Sequence, residues 1–172
     1  YTTNYDLLIY WSIMHQNDPS PFTDYFFGKE FDTSDTNIYS NNTRRIHYLH
    51  GALHLYKTSS GSTLKRIASG SNLLNSFGQA YPGHPDAVPL LVSEGTSEDK
   101  LASINQSDYL TFVFNHFAEN QGDIVVFGHS LSDSDLHIVE AMKKRRKRKI
   151  AISLRPDNKP KIISSQASLI AK

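Results

Sequence analysis

Residues 123–154 constrain the fold more than any other stretch of this chain. Ile124-Val125-Val126-Phe127 is a continuous apolar run, as expected of a parallel strand that is covered on both faces. A polar loop follows, then a helical pattern from Leu136, then a second apolar run at 150–154. Strand, helix and strand at this spacing predict a βαβ unit with a right-handed crossover. We therefore predict an α/β fold with a Rossmann-like parallel sheet and helices on both of its faces.

The length and composition are typical of one globular domain. At 172 residues, with 38% hydrophobic residues, the chain can bury a sizeable core as a single domain over 1–172. It has no cysteine, which excludes disulfides and thiolate zinc sites, and no apolar run of membrane-spanning length. No secretory signal pattern opens the chain, so we expect a cytoplasmic protein without a membrane partner. Because the chain begins at Tyr1, we also expect it to be a fragment.

The periodicity elsewhere predicts shorter elements. Helices are predicted at 5–16, 98–104 and 107–119, and strands at 45–56, with a bend at His50-Gly51, and at 89–93. We interpret 57–86 as a surface excursion with a short helix near 71–77, and 161–172 as a last strand or a tail. The aromatic residues between Phe22 and Phe31 fit either the core or a lid.

Four polar stretches occur where these predicted strands end or bend: Thr2–Asp6, His50-Gly51, Glu94–Ser97 and Gly128–Asp135. A parallel sheet places such loops along one edge, so we expect them to converge in one crevice. Taken alone, the first stretch is also typical of a helix N-cap. Ser132 or Asp133 can likewise cap the helix that follows the last stretch.

Several kinds of site are excluded by the residues present. There is no His-Glu-x-x-His pair, and His47 and His50 fall on opposite faces of an extended strand, so no metal site is predicted. Gly128-His129-Ser130-Leu131-Ser132 lacks the second glycine of the hydrolase nucleophile elbow. The phosphate-binding P-loop does not occur either.

Seven consecutive cations occupy residues 143–149. Since they contribute +7 to a net charge of +1, the rest of the chain carries −6. Cations are favoured at a helix C-terminus by the helix dipole, which is a structural reason for part of this run. The run can also attract phosphate, so a nucleic-acid partner is an alternative.

Three of the polar stretches resemble motifs of the sirtuin family, in the family's order. Thr3-Asn4-Tyr5-Asp6 resembles its Gln-Asn-x-Asp core, and Tyr48-Leu49-His50-Gly51 resembles its Leu-His-Gly. Gly128-His129-Ser130-Leu131 resembles the Gly-Thr-Ser-Leu that closes over the cofactor ribose, and Leu91–Gly95 is a looser fourth match. The chain is most similar to bacterial sirtuin-like domains that lack a zinc module.

The resemblance implies an enzyme that consumes NAD as its substrate, hydrolysing it to nicotinamide and ADP-ribose, in a role such as bacterial antiphage defence. It implies His50 as the general base, and Asn4 as the residue that contacts the nicotinamide ribose or positions the attacking water. The NAD-binding residues that it implies are Thr3, Asp6, Gly51, Gly128 and Ser130. Asp6 would bind the carboxamide, and Ser130 the adenosine ribose or phosphate. It implies no metal.

The chain departs from the family in two respects. It lacks the four-Cys zinc ribbon, so peptide deacylation is not expected. It also lacks the Gly-Ala-Gly-x-Ser phosphate loop that precedes the Asn-x-Asp core, so the expected domain is sirtuin-like without its first βα unit. A non-catalytic module that binds or senses NAD or ADP-ribose is the first alternative, and a nucleic-acid-associated protein is the second. The oligomeric state is left open, with a homo-oligomer among the alternatives.

Overall fold

The computed structural model describes residues 1–15, 22–26, 28–34, 44–67, 79–145, 147–154 and 168. The chain forms two compact units. Unit 1 comprises Tyr1–Ser93 and Ala102–Phe114, and unit 2 comprises Glu94–Leu101 and Asn115–Lys172. Helices and small sheets of both parallel and antiparallel strands give a mixed α/β architecture, which confirms the predicted class at that level. None of the helices in the described ranges has the length and apolar character that a membrane span needs.

The elements follow one another in the order α1 (Leu8–Met14), β1 (Phe22–Thr23), β2 (Arg44–Arg45), β3 (Gly51–Lys57), β4 (Thr63–Lys65), β5 (Val88–Leu91), α2 (Ser97–Ile104), α3 (Asp108–Glu119), β6 (Ile124–Val126), a 3-10 turn (Asp133–Asp135), α4 (Leu136–Lys143) and β7 (Ile150–Ile152). The predicted helices at 98–104 and 107–119 agree with α2 and α3 to within one residue. The helix predicted at 5–16 is the shorter α1.

Unit 1 is organised around an antiparallel sheet in which β3 lies between β4 and β5. The prediction of a parallel sheet is therefore wrong for these strands. The cause is local: Thr58–Ser62 forms a tight turn, with its first amide donating to the last carbonyl at 3.0 Å, so β3 returns directly as β4. A turn of that length joins antiparallel strands, whereas a parallel pair needs a long crossover. A separate two-stranded parallel pair is formed by β1 and β2.

Part of the predicted surface excursion at 57–86 lies in the core. Thr63 and Leu64 of β4 are 0% and 2% exposed, and Leu64 packs in a buried cluster with Tyr56 and Tyr81. The short helix predicted near 71–77 and most of the predicted strand or tail at 161–172 lie outside the described residues. The strand predicted at 89–93 is β5, but only Leu90 of its four residues is buried.

The core of unit 1 is rich in aromatic side chains. Tyr25, Phe26 and Phe31 are at most 6% exposed, which places these three in the core rather than in a lid. Phe26 and Phe31 pack against Tyr109 of α3, with ring centroids 5.2 and 5.3 Å apart. Each such aromatic pair contributes about 0.5–1.5 kcal/mol beyond burial of its area. These contacts tie α3 to the chain that precedes the sheet.

Unit 2 contains the predicted strand, helix and strand. β6 and β7 pair in parallel, with Ile124 opposite Ile150, and α4 lies between them in the chain. The predicted cap at Ser132 or Asp133 is wrong, because a 3-10 turn precedes α4 and its N-cap residue Asp135 forms no side-chain cap. The prediction that the apolar run of β6 is covered on both faces is also wrong. Val125 is 78% exposed, while its neighbours in β6 are half-buried.

Candidate functional site

The first residues of unit 1 lie against the segment that contains His50. The amide of Thr2 donates to the carbonyl of His47, and the amide of Leu49 donates to the carbonyl of Thr2, both at 2.9 Å. The amide of Leu53 donates to the carbonyl of Tyr5 at 2.9 Å. Two stretches that are more than forty residues apart in the sequence are thereby held side by side in one unit.

Within the N-terminal stretch, the two side chains of greatest interest have different surroundings. Asn4 is exposed, and its amide N–H donates to the hydroxyl of Thr2 at 3.1 Å. Asp6 is half-buried, and its Oδ1 accepts the amide of Leu8, the first residue of α1, at 3.0 Å. Asp6 thus contacts the first residue of α1 from the position before the N-cap. The N-cap itself is Leu7, which forms no side-chain cap, and the side chain of Asn4 is open to solvent. Thr3, between them, is half-buried.

His50 is buried at the start of β3. Its side chain is 4% exposed, and its carbonyl accepts the amide of Val92 at 2.9 Å, just after β5 ends. Gly51 follows with φ of +79°. A Cβ at Gly51 would lie 1.9 Å from the carbonyl oxygen of Leu90, so only glycine lets the two backbones approach this closely. The bend predicted at His50-Gly51 is confirmed, and β5 fixes it in place.

Behind this bend lie two buried groups, Tyr48 and His54, with ring centroids 5.2 Å apart. Burial lowers the pKa of His54 to about 4, against an opposing effect of Asp24, so its imidazole is neutral at neutral pH. Burial also raises the pKa of the Tyr48 hydroxyl, with Asp24 adding to the effect. Within the described part of the chain, neither His54 Nδ1 nor the Tyr48 hydroxyl has a hydrogen-bond partner. Asp24 itself pairs with Lys65 at 2.8 Å.

The third motif of the resemblance, Gly128–Leu131, belongs to unit 2, as does the rest of its polar loop up to Asp135. Gly128 is exposed, has φ of +69° and has open space where a Cβ would point. Ser130 is exposed and His129 is half-buried, whereas Leu131 is 2% exposed. Leu131 also has φ of +51°, a conformation that residues other than glycine rarely adopt. The loop is thus anchored by one strained, buried leucine, and its Gly128 is open to solvent.

A network of buried polar groups holds the end of this loop within unit 2. Lys100 of α2 pairs with Asp135 at 2.8 Å, and Asp135 lies 3.7 Å from Nε2 of His129. The hydroxyl of Ser97 accepts the amide of His137 at 2.7 Å and lies 3.1 Å from its Nδ1. Burial is the main cause that lowers the pKa of both histidines, and Asp135 opposes it in each case.

This network was not predicted from the sequence. The polar stretch Glu94–Ser97 did mark the start of α2, but nothing in the local pattern connected Lys100 or His137 with it. The one available signal was a histidine, His137, two residues after the acidic turn Asp133–Asp135. The spacing of apolar residues along a chain does not show which of its elements will pack against each other.

An open cavity of about 390 Å³ lies in unit 1 at the turn between β3 and β4. It is lined by polar groups that include Lys57, Ser59, Asp86 and Gln106. Asp86 is already engaged, because its Oδ2 accepts the hydroxyl of Ser59 at 2.6 Å. The lining residues include none of the predicted site residues.

Comparison with known families assigns the chain to one family by its sequence. Residues 1–169 match the family model described as "Domain of unknown function (DUF4917)". A search of curated proteins found no match.

Proposed function

The chain belongs to the DUF4917 family, and from its own residues we propose that it cleaves the nicotinamide N-glycosidic bond of NAD. The observation that carries the proposal is the packing of Thr2–Asp6 against His47–Leu53 in unit 1. The sequence resemblance assigns two halves of one site to these stretches, and they lie side by side. With this function we propose a sirtuin-like, Rossmann-related fold, for which the parallel strand–helix–strand arrangement of unit 2 is support.

The chemistry suits the groups present. Cleavage breaks the bond between C1′ of the ribose and the ring nitrogen, and the electron pair leaves with nicotinamide. Positive charge develops on the ribose in the transition state, so carboxylate and amide oxygens such as those of Asp6 and Asn4 would stabilise it. Water adds its oxygen to C1′ and gives up a proton, which a neutral imidazole at His50 would accept. The products are nicotinamide and ADP-ribose.

The burial of His50 favours a second candidate function. A side chain that is 4% exposed has little access to bulk water. A module that binds NAD or ADP-ribose without cleaving it needs no proton acceptor in contact with solvent. Under this alternative, Asn4 and the half-buried Asp6 would contact the ligand, and His50 would serve to shape the bend.

Nicotinamide release from NAD, measured by chromatography, tests the first function. The chain is compared with its Asn4→Ala and His50→Ala variants. Turnover that both substitutions abolish supports cleavage at this site, and equal turnover in all three proteins excludes it. Calorimetry with NAD and ADP-ribose distinguishes the second candidate from the first. Binding without cleavage predicts heat of binding without nicotinamide release.

A further inference from the structure

One face of the β6–β7 pair in unit 2 is exposed and carries an aromatic ring. Val125 is 78% exposed and Phe127 is 87% exposed. In the parallel register Val125 lies opposite Ala151, which is exposed too. Because successive side chains of a strand point to opposite faces, these three residues share a face. An isolated phenylalanine this exposed buries almost none of its ring in the unit to which it belongs.

Three lysines of the basic run are also exposed: Lys144, Lys147 and Lys149. Among the residues that the structure describes, none of the three forms an ion pair. Lys149 lies two residues before Ala151 and so falls on the same face of the pair. The carboxylate of Asp123 accepts the backbone amide of Lys149 at 2.9 Å.

Other cations of the run have internal roles. Lys143 pairs with Glu140 at 3.0 Å, and Arg145 donates to the carbonyl of Glu119 at 3.4 Å. Arg148 donates to the carbonyl of Met142 at 3.2 Å. These bonds give three cations of the run a role within the unit. They do not account for the three exposed lysines.

We propose that this face of unit 2 binds single-stranded nucleic acid, with a base stacked on Phe127. Phosphates would contact Lys149 on the face and Lys144 and Lys147 in the turn that leads to it. The charge of the lysines favours a polyanionic partner, and an exposed ring on a sheet face offers a stacking surface. Only a single strand can present an unstacked base to such a ring. The proposal does not depend on NAD cleavage, which is assigned to other residues.

The test is fluorescence anisotropy with a labelled oligodeoxythymidine of about 15 nucleotides, a length within the range of single-strand binding sites. We expect Phe127→Ala to weaken binding at least about fivefold and Phe127→Trp to preserve it, because a larger ring still stacks. Replacing Lys144, Lys147 and Lys149 together by Gln removes three phosphate contacts. The slope of log affinity against log salt should therefore become less steep by about 2. Lys29→Gln, an exposed lysine of unit 1, is the control and should leave the slope unchanged.

Unchanged affinity in Phe127→Ala would overturn the proposal, as would equal affinity for a duplex of the same length. If the face instead joins two copies of the chain, sedimentation will show self-association that Phe127→Ala abolishes, and the oligonucleotide will not bind. That result also overturns the proposal. All five substituted positions, Lys29 included, are exposed, so the variants should unfold at the same urea concentration as the parent chain.

Discussion

A Cβ atom on Gly51 would lie 1.9 Å from the carbonyl oxygen of Leu90, closer than any two such atoms can approach. The contact joins the start of β3 to β5 directly beside His50, whose own carbonyl accepts the amide of Val92. Glycine at this position therefore determines where the buried histidine sits relative to β5. The bend at His50-Gly51 can be tested by measuring the free energy of unfolding of variants, without an activity assay.

Gly51→Ala should destabilise the chain by at least about 2 kcal/mol, because it adds a backbone clash to an unfavourable positive φ. Gly83→Ala is a matched control, since Gly83 has φ of +82° but a Cβ added there would meet nothing within 4 Å. It should cost only about 1 kcal/mol. Urea unfolding of both variants measures the difference. Equal losses at the two positions would show that the approach to Leu90 imposes no constraint.

The stability of the chain should fall as the pH drops from about 6.5 towards 4, and His54 should cause much of this loss. Burial lowers the pKa of folded His54 to about 4, whereas an unfolded histidine has a pKa near 6.5. Between these values the unfolded state binds the proton preferentially, so the contribution is complete above pH 6.5 and is lost below it. The full effect is about 3 kcal/mol.

Urea unfolding at several pH values checks this by comparing the parent chain with His54→Phe. The pKa values of His129 and His137 are also lowered, so they add a slope of the same sign in both proteins. Only the difference between the two curves belongs to His54. A His54→Phe curve parallel to that of the parent would contradict the assignment.

Lys100→Met should destabilise the chain by about 2–3 kcal/mol, because it leaves the mostly buried carboxylate of Asp135 without its cation. Lys143→Met removes a comparable pair, with Glu140, whose carboxylate is 65% exposed. That change should cost less than about 0.5 kcal/mol. Adding Asp135→Asn to Lys100→Met should recover part of the loss. A double variant that is no more stable than Lys100→Met would show that the ion pair is not the cause.

The local elements could be predicted because they depend on short-range periodicity. The apolar spacing of Tyr109 and Val113 identified α3, and the run from Ile124 identified β6 together with its parallel partner β7. The parallel sheet of unit 1 was predicted wrongly because strand direction depends on turn geometry. The turn Thr58–Ser62 returns the chain after five residues, and a Ser/Gly-rich composition alone does not reveal that.

In the candidate site, too, local patterns predicted local features but not contacts between distant residues. No local pattern links Thr2–Asp6 with the His50 segment. Their meeting was expected from two non-local arguments, the convergence of polar strand ends at one sheet edge and the family resemblance. The burial of His50 could not be anticipated at all, because a strand histidine between Leu49 and Gly51 fits either face. The network of Lys100, Asp135 and His137 depends on which elements of unit 2 pack together, and this too is not a local property.

Nicotinamide release from NAD decides whether Asn4 and His50 act together on this substrate, as proposed. At neutral pH the parent chain should release nicotinamide, while Asn4→Ala and His50→Ala should each lose at least about 100-fold in rate, the usual effect of removing an acid–base or positioning group. Asn105→Ala and His84→Ala replace exposed residues of the same types and should keep full activity. Release at the parent rate by Asn4→Ala and His50→Ala, in variants that unfold like the parent, would contradict the claim.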